Sequence, residues 1–202
     1  MKTTQTLAAL LVLAAVVARP ALAQRLEIAP FAGYRFGGSL QNAANGDSYG
    51  IKAAFAYGGT VEMKLSGQTR LHILYSRQET EFDTLATTTV PITLQYIQIG
   101  GTRDMTHRGA ARPFVTGALG LGIATLPGTS VASQTKFGMH AAVGVTTPST
   151  SRLAARAEFR GYLTFVGDQA IAGSCGGAGC NIVFATSTLF QGEVAVGLGL
   201  RF

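Results

Sequence analysis

Charged residues stand two apart in several segments of this chain, the spacing at which an extended strand places side chains on one face. Arg156, Glu158 and Arg160 do so within RLAARAEFRGYLTFV, Glu27 and Arg35 share RLEIAPFAGYRFGG, Lys52, Glu62 and Lys64 share one parity, and Glu193 lies in the closing segment GEVAVGLGLRF. If these segments surround an enclosed space, the residues form one interior network of ion pairs, because charges removed from water must be paired. Such a network is a packed polar plug or, alternatively, a path for protons or ions.

Other groups offer less. Cys175 and Cys180 lie in GSCGGAGCN. In an exported chain two cysteines are expected to form a disulfide, and a ring this small constrains the unfolded chain by about 2 kcal/mol. It shapes a loop tip. Zinc would need two further ligands, and no nearby His supplies them. Hydrolysis through a nucleophile needs Ser or Cys with a base and an acid in reach. His107 sits in a basic turn with Arg108 and Arg112, and His72 and His140 share a face of small residues, without an identifiable partner. No catalytic residue, cofactor or metal is therefore expected, and the chain is not expected to be an enzyme. Glu79, Glu81 and Asp83 could meet divalent cations through oxygen ligands, or simply mark a solvated strand end.

The elements that must position these residues begin after a leader. Lys2 precedes an apolar run from Leu7 to Val17, Arg19-Pro20 breaks it, and Ala21-Leu22-Ala23 offers a small-x-small cleavage pattern. This predicts a cleaved signal peptide over 1–23 and one mature domain over 24–202. The run is shorter than the roughly 20 residues of a helical span, and no later segment approaches that length uninterrupted. Of the whole chain only 13% is charged, glycine numbers 26 and tryptophan is absent. The formal charge of +6 falls to +4 without Lys2 and Arg19; the remaining cations are spread through strand-like segments, which argues against nucleic acid as a partner.

Period-two alternation predicts eight strands, near 25–38, 49–65, 69–83, 92–105, 113–125, 137–147, 152–166 and 184–202. Connections near 66–68, 106–112 and 148–151 are short, whereas 39–48, 84–91, 126–136 and 167–183 are mostly longer and rich in small polar residues. One face of most strands is large and apolar, as in Val115, Leu119, Leu121 and Ile123, and the other is Gly, Ala and Thr with scattered charges. That second face is too sparsely ionised to meet water all round, but it suits the narrow interior of an eight-strand barrel. In hydrocarbon only a closed barrel leaves no strand edge unpaired. The expected fold is all-β, an eight-stranded antiparallel up-and-down transmembrane barrel. Strands three and four are ambiguous, since Leu71, Ile73 and Tyr75 are followed on the same side by Arg77 and Glu79, which we read as lying beyond the hydrocarbon. Tyr34, Phe36, Tyr75 and Phe165, with Phe82 less clearly, read as interface aromatics.

With its leader, its Gly-rich amphipathic strands such as PFVTGALGLGIA and its ending VAVGLGLRF, the sequence resembles the small outer-membrane β-barrel proteins of Gram-negative bacteria, the OmpA/OmpX-like superfamily. The resemblance implies that Val194, Val196, Leu198, Leu200 and the terminal Phe202 are the signal read by the barrel-assembly machinery. It implies an outer-membrane location, with membrane lipid and lipopolysaccharide as surroundings, and a monomer is expected. The function expected is structural or surface-interactive, with external loops contacting a host or surface ligand. The alternatives are a narrow porin-like channel and, behind it, a lipid-modifying outer-membrane enzyme.

Overall fold

A computed structural model describes residues 26–41, 48–83, 89–105, 109, 111–127, 133–147, 152–166, 171–172, 181–182 and 188–202. The leader, Cys175, Cys180 and His107 lie outside the described residues. The strongest alternation makes the longest ladders: in Leu153–Phe165 residues 154, 156, 158, 160, 162 and 164 are buried while 153, 155, 157 and 159 are exposed. The pattern repeats in β1 (Leu26–Phe36), β2 (Ala54–Ser66), β3 (Thr69–Asp83), β4 (Thr89–Asp104), β5 (Arg112–Thr125), β6 (Gln134–Thr146), β7 (Leu153–Phe165) and β8 (Thr188–Arg201).

These eight strands close into a barrel in which each pairs antiparallel with its sequence neighbours and β1 pairs with both β2 and β8. Closure removes every edge, so backbone donors and acceptors around the wall find partners in the ladder. The register also decides which charges meet. It sets Arg35 opposite Glu193 and Glu27 opposite Arg201 between β1 and β8, and Glu193 opposite Arg160 between β7 and β8.

The wall is inverted relative to a water-soluble barrel. Outward residues are large and apolar, with Phe55 at 76% exposure and Leu198 at 65%, and together they form a far larger apolar surface than a soluble domain leaves in water. That surface belongs in hydrocarbon, and the fold is a transmembrane-type barrel. Among the described residues no helix is long and apolar enough to cross a membrane. Val194, Val196, Leu198, Leu200 and Phe202 all point outward on or just beyond β8. Outward aromatics pair near the end of the barrel that carries the longer connections: Tyr34 meets Phe55 edge-on at 5.6 Å and Phe137 stacks on Phe165 at 5.7 Å.

β3 and β4 run 15 and 16 residues, beyond the roughly 9–11 that a tilted strand needs to cross. Their hairpin therefore stands above the wall, with Arg77 and Glu79 outward and joined at 2.8 Å. The acidic Glu81 pairs at 3.2 Å with Lys52, both about half exposed.

Two expected interior residues fall elsewhere. The segment 49–65 is not one strand: Ser48–Gly50 pairs with Ser39–Gln41 in a small ladder of its own, and barrel strand β2 starts only at Ala54. Gly37 and Gly38, at φ +81° and +98°, turn the chain as it leaves β1, a conformation glycine adopts without steric cost. Ile51 N–H then donates to Gly38 O and Lys52 N–H to Glu81 O, each at 2.9 Å. The break exchanges the faces, so Ile51 is buried inside and Lys52 lies at the exposed rim. Lys64 keeps the inward parity of β2, yet it stands at the strand's end, where the register shifts between Lys64 and Ser66 and the barrel opens to solvent; its side chain is exposed.

Candidate functional site

Inward parity of β1, β2, β3, β4, β7 and β8 brings charges of both signs to a lumen too narrow to hold them in bulk water. They settle into a single alternating ladder. At the end with the short connections, Arg112 on β5 reaches Asp104 at 3.4 Å and Asp104 holds Arg70 at 2.5 Å. Arg70 also donates to Glu62, whose Oε1 accepts from Arg156 at 2.5 Å and from the Thr102 hydroxyl at 3.1 Å. His72 Nδ1 lies 3.0 Å from the same oxygen.

The ladder continues upward. Arg156 donates to Glu158 at 2.9 Å and Arg160 pairs with Glu158 and, at 2.7 Å, with Glu193. Glu193 then accepts from Arg35 through Nη2 at 2.6 Å and Nε at 2.8 Å, and Arg35 donates to Ser76. Along this run every carboxylate sits between two guanidinium groups, which is how buried ions offset their lost hydration. Arginine suits the place because its planar head makes several bonds and stacks on rings. Arg156 lies 4.0 Å over Phe114, Arg160 3.9 Å over Phe31, and Arg35 4.5 Å over Tyr162.

Above the charges comes a layer of aromatic and amide groups. Tyr96 stacks on Tyr162 at 4.6 Å and donates its hydroxyl to Gln191 at 3.0 Å. His140 Nδ1 meets Gln98 Oε1 at 2.6 Å, and the rings of His140 and His72 lie 5.5 Å apart. Above this layer Ile51, Ile92, Leu94, Leu126, Val166 and Leu189 form a buried apolar cluster. The lumen is thus stratified: ionic at the short-loop end, aromatic in the middle, aliphatic at the other mouth.

Of the nine residues expected to share one network, Arg35, Glu62, Arg156, Glu158, Arg160 and Glu193 join the ladder. Glu27 is buried but pairs separately with Arg201 at 2.7 Å, and Lys52 and Lys64 lie outside. The ladder also takes Arg70, Asp104 and Arg112, which sequence reasoning missed. Arg70 and Asp104 were legible in principle, since each shares parity with inward Thr, Gln or His neighbours on its strand. The large inward Leu74, Tyr96 and Tyr162 hide that parity, because large size otherwise marks the outward face.

No group of three or more metal-ligating side chains gathers among the described residues. The ladder fills space and neutralises charge.

A family model described as "Outer membrane protein beta-barrel domain" matches residues 8–202. No curated protein sequence matches the chain. Among solved structures, the crystal structure of Neisserial surface protein A (NspA) superposes with a TM-score of 0.61 at 16% identity, covering 88% of this chain and 97% of that one. The solid-state NMR structure of outer membrane protein AlkL in DMPC lipid bilayers gives 0.58 at 11% identity, covering 92% and 94%. At these identities the likeness is one of fold.

Proposed function

This chain belongs to the outer membrane protein β-barrel domain family, and from that premise we propose that it resides in the outer membrane of a Gram-negative bacterium as a closed, non-conducting barrel whose specific contacts are made by its external loops. The observation that carries the reading is the filled lumen. Arg35, Arg160, Tyr96, Tyr162 and Phe114 are among the largest fully buried side chains, and the ladder ties them across the bore from Arg112 to Ser76. A barrel of eight strands has interior room only for side chains, so a filled bore leaves no route for solutes and argues against the porin-like alternative.

With the bore closed and the wall committed to lipid, variable chemistry is left to the connections. The chain then acts as an anchor that is structural in itself and surface-interactive through its loops, as a monomer surrounded by lipid and lipopolysaccharide. The segment 167–183, the longest external connection, is the first to test. Cells carrying the protein with 167–183 replaced by a short Gly-Asn turn are compared with wild type for attachment to host-cell monolayers. The expected result is an equally folded barrel and reduced attachment. Unchanged attachment of a folded variant contradicts a surface role for that loop.

A further inference from the structure

The aliphatic layer at the outer mouth does more than cap the ladder. Ile51, Ile92, Leu94, Val166 and Leu189 line an apolar pocket that is continuous with solvent. Tyr96 lies at its inner end, held there by its bond to Gln191, its contact with Tyr162 and the guanidinium of Arg35 5.0 Å from its ring. Tyr96 thus floors the pocket on the side of the ladder. On the pocket wall stands Lys136, the one charged lining residue. Lys136 sits opposite Gly122 in the β5–β6 register. Its side chain is half-buried, and among the described residues no carboxylate pairs with it.

These features ask for one kind of occupant. Every rung of the ladder below has its counter-ion, whereas Lys136 has no carboxylate partner among the described residues and stands beside aliphatic carbon. A lysine stem lies readily on apolar surface while its head seeks a polar partner. The wall buries hydrocarbon and the head pairs with a negative charge.

We infer that the outer mouth is a binding site for a free medium-chain carboxylate, with its alkyl chain among Ile92, Leu94 and Leu189 and its carboxylate on Lys136. Entry is from outside the cell, because the pocket opens at the mouth and is floored by Tyr96. This goes beyond the anchoring role and does not depend on what the loops bind.

The test uses the full mature chain refolded in phospholipid nanodiscs, with empty nanodiscs as the blank, and measures displacement of a dansyl-labelled fatty acid by octanoate, decanoate and decanol. Saturable binding is expected, tightening about fourfold per added methylene until the pocket is full. Lys136→Gln is expected to weaken decanoate at least tenfold and leave decanol unchanged. Ala124→Phe, which fills the cavity from β5, is expected to remove both. Because Lys136 is half-exposed, its substitution does not threaten folding, and the charge test stands even if Ala124→Phe fails to fold. No saturable binding above the blank, or decanoate binding indifferent to Lys136→Gln, would overturn the proposal. So would phospholipid that copurifies in equimolar amount and is not displaced by decanoate.

Discussion

At the scale of single residues, Glu62 is the most connected rung: two guanidinium groups, a hydroxyl and an imidazole converge on one carboxylate that is 1% exposed. Removing one partner from a buried ionic cluster leaves the others uncompensated, at a cost of about 3–5 kcal/mol. Glu62→Gln is therefore expected to lower stability by that order in urea titrations of vesicle-refolded protein. Lys52→Gln removes the exposed pair with Glu81, for which about 0–1 kcal/mol is expected. Equal losses for the two variants would refute the ladder's role. Parity alone identifies Glu62, Arg156, Glu158, Arg160, Arg35 and Glu193 in the sequence, because each lies within an unbroken strand. It fails for Lys52, where a turn through Gly37 and Gly38 and an interruption of the strand before Ala54 invert the faces, and for Lys64, where the strand runs out of the barrel. It also misses Arg70 and Asp104, because large inward Leu74 and Tyr96 on their strands hide the parity.

At the scale of elements, the eight strands were legible because lipid on one side and packed side chains on the other impose a strict period of two. Their ends were not: β6 begins at Gln134, ahead of the expected 137, and β4 at Thr89 rather than 92, since backbone pairing above the membrane needs no apolar pattern. Strand contacts also depend on close approach. A Cβ on Gly100 would lie 2.0 Å from Gly117 O and 2.5 Å from Ala118 Cα, both immovable without parting β4 from β5, whereas one on Gly117 meets nothing within 4 Å. Gly100→Val is thus expected to abolish the heat-shifted gel band of the folded barrel, and Gly117→Ala to preserve it. Folding of Gly100→Val to the wild-type band would show that the ladder is looser than described. Phe202 is a different case. Its N–H closes on Leu26 O at 2.9 Å while its ring is 51% exposed, so it adds little packing. If it serves assembly, deleting it lowers the amount of folded protein in cells several-fold while purified chain refolds like wild type. An equal loss in both settings would assign it to stability instead.

At the scale of the whole molecule, the protein is a barrel turned inside out and then filled, with ions, rings and aliphatic chains stacked along one bore. The closed barrel and its lipid-facing wall followed from alternation and from the unequal connections. The stratification did not, because Ile92, Leu94 and Leu189 on the inner face look in sequence like ordinary members of the outer one. Loop function was not legible, since the connections carry generic small polar residues. On the proposed reading the bore is closed beneath the solvent-open aliphatic mouth, where Tyr96 stacks on Tyr162 in series with the ionic ladder; a ladder alone could pass ions by exchanging partners. Planar-bilayer recording of the refolded protein puts the seal itself to the test. A sealed bore predicts a baseline indistinguishable from the bare membrane across the voltage range; reproducible unitary conductance steps would contradict it.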